Sequence, residues 1–250
     1  MDIVIGRDIK EMGKEAGISA GRAIRNAITE KGIANIILAT GTSQFETLNQ
    51  LISEEGIDWS KVVMFHLDEY IGLPITHPAS FRKYLKERFL TKVPPLKAAF
   101  LIDGETDANS ECERLGKLIS KHPIDVALVG IGENGHLAFN DPPADFDTEK
   151  PYIIVDLDDQ CVQQQFGEGW FPSINDVPRK AISMSVKQIM RSKQIICSVP
   201  DSRKAVAVKN SIENPVSNLY PASILQNHTH CTVFLDPSSA ALLKTPGIMA

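Results

Sequence analysis

Short apolar runs alternate with segments of helical periodicity along most of this sequence. The runs lie at residues 36–39, 62–67, 98–102, 125–130, 152–155, 181–186, 194–199 and 231–235. The helical segments lie at residues 8–31, 45–56, 80–89, 107–121, 202–213 and 237–243. Runs that are apolar on both faces are typical of parallel strands covered by helices on each side. The alternation therefore predicts an α/β fold, a three-layer α/β/α sandwich around a mostly parallel sheet.

Composition limits the classes of protein to which the chain can belong. It has 250 residues, of which 43% are hydrophobic and 23% charged, so it can bury a core without disulfides or metals. The net charge is −5 and no segment concentrates Lys and Arg, which disfavours nucleic-acid and membrane partners. No apolar run approaches the roughly 18 residues of a membrane helix. The length favours one domain over residues 1–250, and four dispersed cysteines favour a cytoplasmic protein without a metal site.

Ligands of such folds bind at the carboxyl ends of strands, so the residues that follow each run are candidate site residues. Thr40-Gly41-Thr42-Ser43 follows the first run and precedes a helix in which Ser43 and Glu46 have the spacing of a capping box. The free N–H groups and positive dipole end of a helix attract anions, and the hydroxyls add donors. The segment predicts a phosphate site; the alternative is an ordinary strand-to-helix turn.

Two adjacent carboxylates, Asp68 and Glu69, follow the run at 62–67. Neighbouring side chains of an extended chain point to opposite faces, so only one of the two is expected to line a given pocket while the other holds the loop. The alternative is a pair of solvated acids in a turn.

The segment from Gly130 to His136 reads G-x-G-x-x-G and follows another run, which is the pattern of a dinucleotide site. The glycines lead into a segment that Pro142 and Pro143 stop before it could form the crossover helix, so we do not predict NAD binding. The segment does supply His136 with Asn134 and Asp141 close by in sequence. A histidine oriented by such groups transfers protons, although a loop histidine that only bonds the backbone is the alternative.

A cation begins the helical segment at 202–213, where Lys204 opposes the helix dipole. A bound anion would explain its position, and a solvated lysine is the alternative. His228 and His230 have no third ligand in their neighbourhood, so we interpret them as surface or packing residues.

Three of these segments together resemble the glucosamine-6-phosphate deaminase (isomerase) family: Thr40-Gly41-Thr42, the stretch Leu67-Asp68-Glu69-Tyr70-Ile71-Gly72-Leu73, and the stretch from Gly130 to Pro142. The order and spacing of motifs agree from about residue 36 to 243. The resemblance implies a modified Rossmann-like sandwich that converts glucosamine 6-phosphate and water to fructose 6-phosphate and ammonia without a metal or organic cofactor.

The resemblance also implies roles for individual residues. Asp68 would move a proton from C2 to C1 of the sugar, and His136 would help to open the ring, oriented by Asn134 and Asp141. The phosphate would be held by Thr40, Gly41, Thr42, Ser43 and Lys204, and Glu69 is grouped with these substrate-binding residues.

The sequence departs from the family in three places. Asn134 replaces an Asp found in many members, and Asp141 is one methylene shorter than the usual Glu. The segment 160–170 lacks the arginine that the family uses for phosphate, and Gln164, Gln165 and Trp170 suggest contacts to a differently shaped or less charged sugar.

Two other functions stay open at this point. A 6-phosphogluconolactonase has a similar fold and a Gly-flanked histidine loop, but the segments at 68–73 and 139–142 favour the deaminase. A sugar-phosphate-binding sensor without catalysis is suggested by the missing arginine and by Asn134. The expected partner is a hexosamine phosphate, and a homo-oligomer is compatible with the sequence.

Overall fold

A central sheet of parallel strands carries the fold. The computed structural model describes residues 1–244 and the backbone of residues 248–249. Its strands are β1 (Asp2–Ile5), β2 (Ala34–Leu38), β3 (Val62–His66), β4 (Asp68–Tyr70), β5 (Ala98–Phe100), β6 (Val126–Val129), β7 (Tyr152–Asp156), β8 (Lys180–Met184), β9 (Gln194–Val199), β10 (Cys231–Leu235) and β11 (Ile248–Met249). Its helices are α1 (Ile9–Lys31), α2 (Phe45–Ser53), α3 (Phe81–Leu85), α4 (Ala108–Ile119), α5 (Asp159–Gly167), α6 (Val186–Met190) and α7 (Ala205–Glu213). In the described part of the chain the parallel sheet has the order β11-β1-β10-β9-β6-β2-β3-β5.

Helices cover both faces of this sheet, as the sequence predicts. On β2, Ile36 and Leu38 pack into a core with α1 and α2, whereas Ile37 packs into a second core with α4 and α7. All five residues of β2 are buried, because successive side chains point to opposite faces and each face is covered. The three-layer α/β/α architecture is confirmed.

The predicted first helix is confirmed with both of its ends. The Asp8 side chain accepts a hydrogen bond from the Glu11 backbone N–H at 2.8 Å, which caps the start of α1. The helix ends at Gly32, which takes the left-handed conformation with φ of +76°.

Several elements differ from the prediction. The predicted strands at 152–155 and 181–186 leave the central sheet and form a small antiparallel sheet of order β4-β8-β7. The predicted helix at 237–243 is a series of turns, in which the backbone N–H groups of Ala241 and Leu243 bond the carbonyl oxygens three residues earlier. The short strand β1 and the polar helix α5 were not predicted.

The strand order places the predicted loops together. From β2 the chain moves outward through β3 to β5, and from β6 it moves outward in the other direction through β9 to β10. Ligands bind at such a reversal, beyond the carboxyl ends of the strands. The loops that follow β9, β6, β2 and β3 therefore share one edge. Within the described residues no helix has the length and apolarity needed to cross a membrane.

Glycines let α1 and α2 approach closely at this edge. Gly13, Gly17 and Gly21 lie one helical turn apart on α1 and face α2. A Cβ atom on Gly17 would lie 2.5 Å from the Gln50 Cβ and 2.8 Å from the Thr47 carbonyl oxygen. The close approach fixes α2, and with it the loop 40–43 from which α2 starts.

Gly17→Ala is expected to lower the free energy of unfolding by about 1–3 kcal/mol, the usual effect of overpacking a rigid contact. Gly116→Ala is the matched control, since a Cβ there would meet Pro151 at an ordinary 3.7 Å and α4 would gain helix propensity. Urea denaturation of both variants measures the difference. Equal stability of the two variants would contradict the packing argument.

Candidate active site

A cavity of about 240 Å³ lies where the four loops meet. Seven of the ten residues predicted for the site line it: Thr40, Gly41, Thr42, Ser43, Asp68, His136 and Lys204. Asn134 and Asp141 lie behind His136, and Glu69 points away from the cavity. The structure also adds residues to the lining, notably Gln164, Gln165, Glu168 and Arg203.

Asp68 is a buried carboxyl group at the edge of the cavity. It lies in β4, which pairs antiparallel with β8 and places Asp68 opposite Ser183. Only 7% of the residue is exposed. Burial, with a contribution from the charge of Glu69, raises the pKa of Asp68 to about 8. A carboxyl group with this pKa can both take up and release a proton near neutral pH.

Glu69 points to the opposite side of β4 and holds the following loop. Its carboxylate accepts hydrogen bonds from the Ser80 hydroxyl at 2.9 Å and the Arg82 backbone N–H at 2.8 Å. It also accepts from the backbone N–H groups of Tyr70 and Phe81. The expectation that one carboxylate lines the pocket and the other holds the loop is met, but the grouping of Glu69 with substrate-binding residues is not supported, because all of these partners lie in the protein.

His136 is oriented by the carboxylate of Asp141. The His136 Nδ1 and the Asp141 Oδ1 are 2.9 Å apart, so the carboxylate reaches the imidazole although it is one methylene shorter than the family's Glu. Burial raises the pKa of Asp141, but the hydrogen bonds and charge of its partners outweigh burial and lower it below its usual value. The ionised carboxylate holds the Nδ1 proton and assigns proton exchange to Nε2.

Asn134 acts on His136 through Asp141. Its Nδ2 donates to the Asp141 Oδ1 at 2.9 Å and to the Asp158 Oδ2 at 3.1 Å, while its Oδ1 accepts from the His136 backbone N–H at 3.1 Å. Asn134 therefore contacts the His136 backbone directly and the His136 ring only through Asp141.

The glycine at position 132 makes room for the ring of His136. The Gly132 N–H donates to the His136 carbonyl oxygen at 2.9 Å and closes the loop. A Cβ atom on Gly132 would lie 2.2 to 2.4 Å from three imidazole atoms. Only glycine lets the ring lie against the backbone here, which accounts for the motif without a dinucleotide.

The β8 strand ties the histidine loop to Asp68. The Ser183 hydroxyl accepts from the Phe139 backbone N–H at 3.0 Å, and the Asn140 Nδ2 donates to the Met184 carbonyl oxygen at 2.8 Å. Because β8 also pairs with β4, Asp68 and the loop that carries His136 are fixed relative to each other.

Two helix starts meet at the other end of the cavity. Residues 40–43 lead through a 3₁₀ turn into α2, and residues 201–204 lead through a second 3₁₀ turn into α7. Lys204 is 6% exposed and burial lowers its pKa, so it gains from an anionic partner. This end of the cavity is suited to an anion.

The predicted capping box is wrong. Ser43 lies inside the 3₁₀ turn Thr42–Gln44, and α2 begins at Phe45 without a side-chain cap. The Gln44 side chain donates to the Ser198 carbonyl oxygen at 3.2 Å, which pulls this turn toward β9. Ser43 lines the cavity, and its hydroxyl accepts a hydrogen bond from the Gln44 Nε2 at 3.2 Å.

Helix α5 covers the cavity. The Gln165 Oε1 accepts from the Tyr70 hydroxyl at 2.7 Å, and the Gln164 Oε1 accepts from the Glu133 backbone N–H at 2.7 Å. Asp158 caps the helix by accepting from the Cys161 backbone N–H at 2.6 Å. The sequence of α5 has few apolar residues, so its periodicity did not predict a helix. Sequence analysis singled out only Gln164 and Gln165 in this segment, as suggested contacts to the sugar.

Asp68 is expected to titrate with a midpoint near pH 8, since the buried site favours the neutral acid and the carboxylate forms only as the pH rises. Carbon NMR of protein labelled at the aspartate carboxyl groups measures the titration, and Asp68→Asn assigns the signal. A midpoint near the ordinary value of 3.8 would contradict this electrostatic account.

Glu69→Gln is expected to lower the free energy of unfolding by about 3–5 kcal/mol, because it leaves the guanidinium of Arg82 without its buried partner. Glu105→Gln is the matched control: Glu105 contacts the same guanidinium at 2.9 Å but is 43% exposed, so a loss of at most about 1 kcal/mol is expected. Equal losses in denaturation experiments would show that burial of Glu69 is not decisive.

Comparison with known proteins shows the family to which the chain belongs. Residues 7–234 match the family described as glucosamine-6-phosphate isomerases/6-phosphogluconolactonase. The chain belongs to this family. The family description names two activities, and both act on phosphorylated sugars. The individual relatives are therefore needed to distinguish one activity from the other.

The relatives of higher identity within the family are deaminases. A glucosamine-6-phosphate deaminase of Lactobacillus delbrueckii subsp. bulgaricus is 34% identical over 98% of this chain and 100% of its own. One from Listeria monocytogenes is 38% identical over 88% of this chain and 92% of its own. A solved structure, described as a monomeric glucosamine-6-phosphate deaminase, superposes with a TM-score of 0.88 at 32% identity, covering 97% of this chain and 100% of that one.

Structures described as 6-phosphogluconolactonases share the fold. One from Neisseria gonorrhoeae superposes with a TM-score of 0.74 at 21% identity, over 94% of this chain and 100% of that one. This likeness supports the modified Rossmann-like architecture alone.

Proposed function

We propose that this protein is a glucosamine-6-phosphate deaminase, which converts glucosamine 6-phosphate and water to fructose 6-phosphate and ammonia. The observation that carries the proposal is the division of one cavity into two ends. Asp68 and the His136–Asp141 pair lie at one end, and two helix starts with Lys204 lie at the other. The identity of the substrate is inferred from the relatives described as glucosamine-6-phosphate deaminases.

The first step opens the sugar ring. Nε2 of His136 is placed to exchange a proton with the ring oxygen, while Asp141 holds the opposite nitrogen. Opening exposes the C1 aldehyde, which makes the hydrogen on C2 acidic enough for a carboxylate base.

The second step is proton transfer by Asp68. The carboxylate takes the proton from C2 while the C1 oxygen takes up a proton from water, which gives an enolamine. Asp68 then returns its proton to C1 and the nitrogen releases one to solvent, which leaves a C1 alcohol and an imine at C2. Water then adds to C2 and the amine leaves as ammonia, so atoms balance without an oxidant. A pKa of about 8 suits a group that must both accept and return a proton.

The phosphate is held at the other end of the cavity. Backbone N–H groups and hydroxyls of residues 40–43 and the ammonium of Lys204 supply donors. Held there, the substrate extends toward Asp68, and this positioning contributes to catalysis by restricting the substrate's orientation.

The two alternatives are less well supported. A lactonase needs no base above C2, whereas Asp68 is buried and its pKa is raised as that role requires. A sensor needs neither a buried Asp68 nor an oriented His136. Four cysteine thiols without disulfides fit the proposed cytoplasmic location.

Ammonia and fructose 6-phosphate should form from glucosamine 6-phosphate in the presence of a chelator. Asp68→Asn and His136→Ala are each expected to lower kcat by about 100- to 10,000-fold, the usual range for lost acid or base catalysis. Asp156→Asn is the control, because Asp156 is exposed and does not line the cavity. Coupled assays for both products measure these rates.

Failure of the wild type to release either product would reject the deaminase. Release of 6-phosphogluconate from its lactone would then favour the lactonase, and phosphosugar binding without any turnover would favour the sensor.

A further inference from the structure

Glu168 places a carboxylate in the anion-binding end of the cavity. It lines the cavity together with residues 40–43 and Lys204. A Cβ atom on Gly41 would lie 3.8 Å and 3.9 Å from its two carboxylate oxygens. The carboxylate therefore lies against the backbone where the proposed function requires a phosphate.

Glu168 uses the same favourable interactions that a phosphate would use. Burial raises its pKa, and the charges of Lys204 and Arg203 and the Thr42 backbone N–H act in the opposite direction. The reciprocal effect is present on Lys204, where Glu168 and Glu133 oppose the effect of burial. An entering phosphate would have to compete for these groups.

The remaining charges at this end are already paired. Arg203 contacts Asp201 at 2.9 Å and Glu133 at 3.4 Å, and the Lys204 Nζ is 4.0 Å from Glu133. Two cations therefore face three carboxylates when Glu168 is ionised. A phosphate dianion bound beside Glu168 would experience like-charge repulsion that no other cation of the cavity lining offsets.

Glu168 also has space into which it can withdraw. It lines a second cavity of about 120 Å³ that shares Gly41 and Thr42 with the first and carries two cations, Lys83 and Arg88, and one further carboxylate, Glu87. Gly167 and Gly169 flank it, and a Cβ atom on either would meet nothing within 4 Å. The side chain of Glu168 therefore borders both cavities.

We propose that Glu168 determines substrate specificity by occupying the phosphate position, so that a substrate phosphate binds only by displacing this carboxylate into the second cavity. The inference rests on the proposed function for the identity of the anion. Glu168 acts on binding and takes no part in proton transfer.

Glu168→Gln is expected to bind inorganic phosphate and fructose 6-phosphate at least about tenfold more tightly than the wild type, because it keeps the size of the side chain and removes its charge. Isothermal titration calorimetry at pH 8 measures this without turnover. Asp159→Asn is the matched control, since it removes one charge from the same segment at a side chain that is 94% exposed; its affinity should stay within twofold of the wild type. Glu168→Ala provides a second variant with the same expected direction.

In the ammonia assay, the KM of Glu168→Gln for glucosamine 6-phosphate should fall by a similar factor, whereas its affinity for unphosphorylated glucosamine should not rise. Phosphate affinities that are equal to or weaker than the wild type's in both Glu168 variants would overturn the inference. Tighter phosphate binding in the variants without ammonia release by any form of the protein would reject the proposed function and leave the role of Glu168 supported.

Discussion

The parallel pairing of β2 with β6 is the contact on which the site depends. The chain leaves these neighbouring strands in opposite directions along the sheet, so the loops after them diverge and open a crevice. Residues 40–43 and the histidine loop lie on the two sides of that crevice. The glycines of α1 then hold α2 close to the sheet and set where the anion-binding loop can lie.

The small antiparallel sheet β4-β8-β7 fixes the positions of Asp68 and of the loop that carries His136. A loop after a parallel strand is usually free to move, and a base on such a loop would be poorly placed. Here the residues after β3 form β4, which pairs with β8, and Ser183 of β8 also bonds the loop that carries His136. Two groups more than 60 residues apart in the chain are thereby fixed through one strand. This fixed geometry is what proton transfer requires.

Local patterns in the sequence predicted the layers of the fold and most of the cavity lining. The alternation of side chains in an extended strand was enough to separate the roles of Asp68 and Glu69, although only the structure shows which one faces the cavity. The capping box failed because Gln44 bonds Ser198, which is 154 residues distant and invisible to any local pattern. Helix α5 was missed for a related reason: its buried face includes Gln164 and Gln165, whose partners are a tyrosine hydroxyl and a backbone N–H from other loops.

The departures from the family fit together once the contacts are known. Asn134 lies between two carboxylates, Asp141 and Asp158, and donates one N–H group from Nδ2 to each. An aspartate at 134 would have no donor for either and would add a third negative charge beside them. The neutral amide is therefore the group that lets Asp141 stay ionised and close to His136 while Asp158 caps α5. In this protein the helix that covers the cavity and the histidine that lines it are both tied to the same amide, so a neutral group at position 134 suits the arrangement.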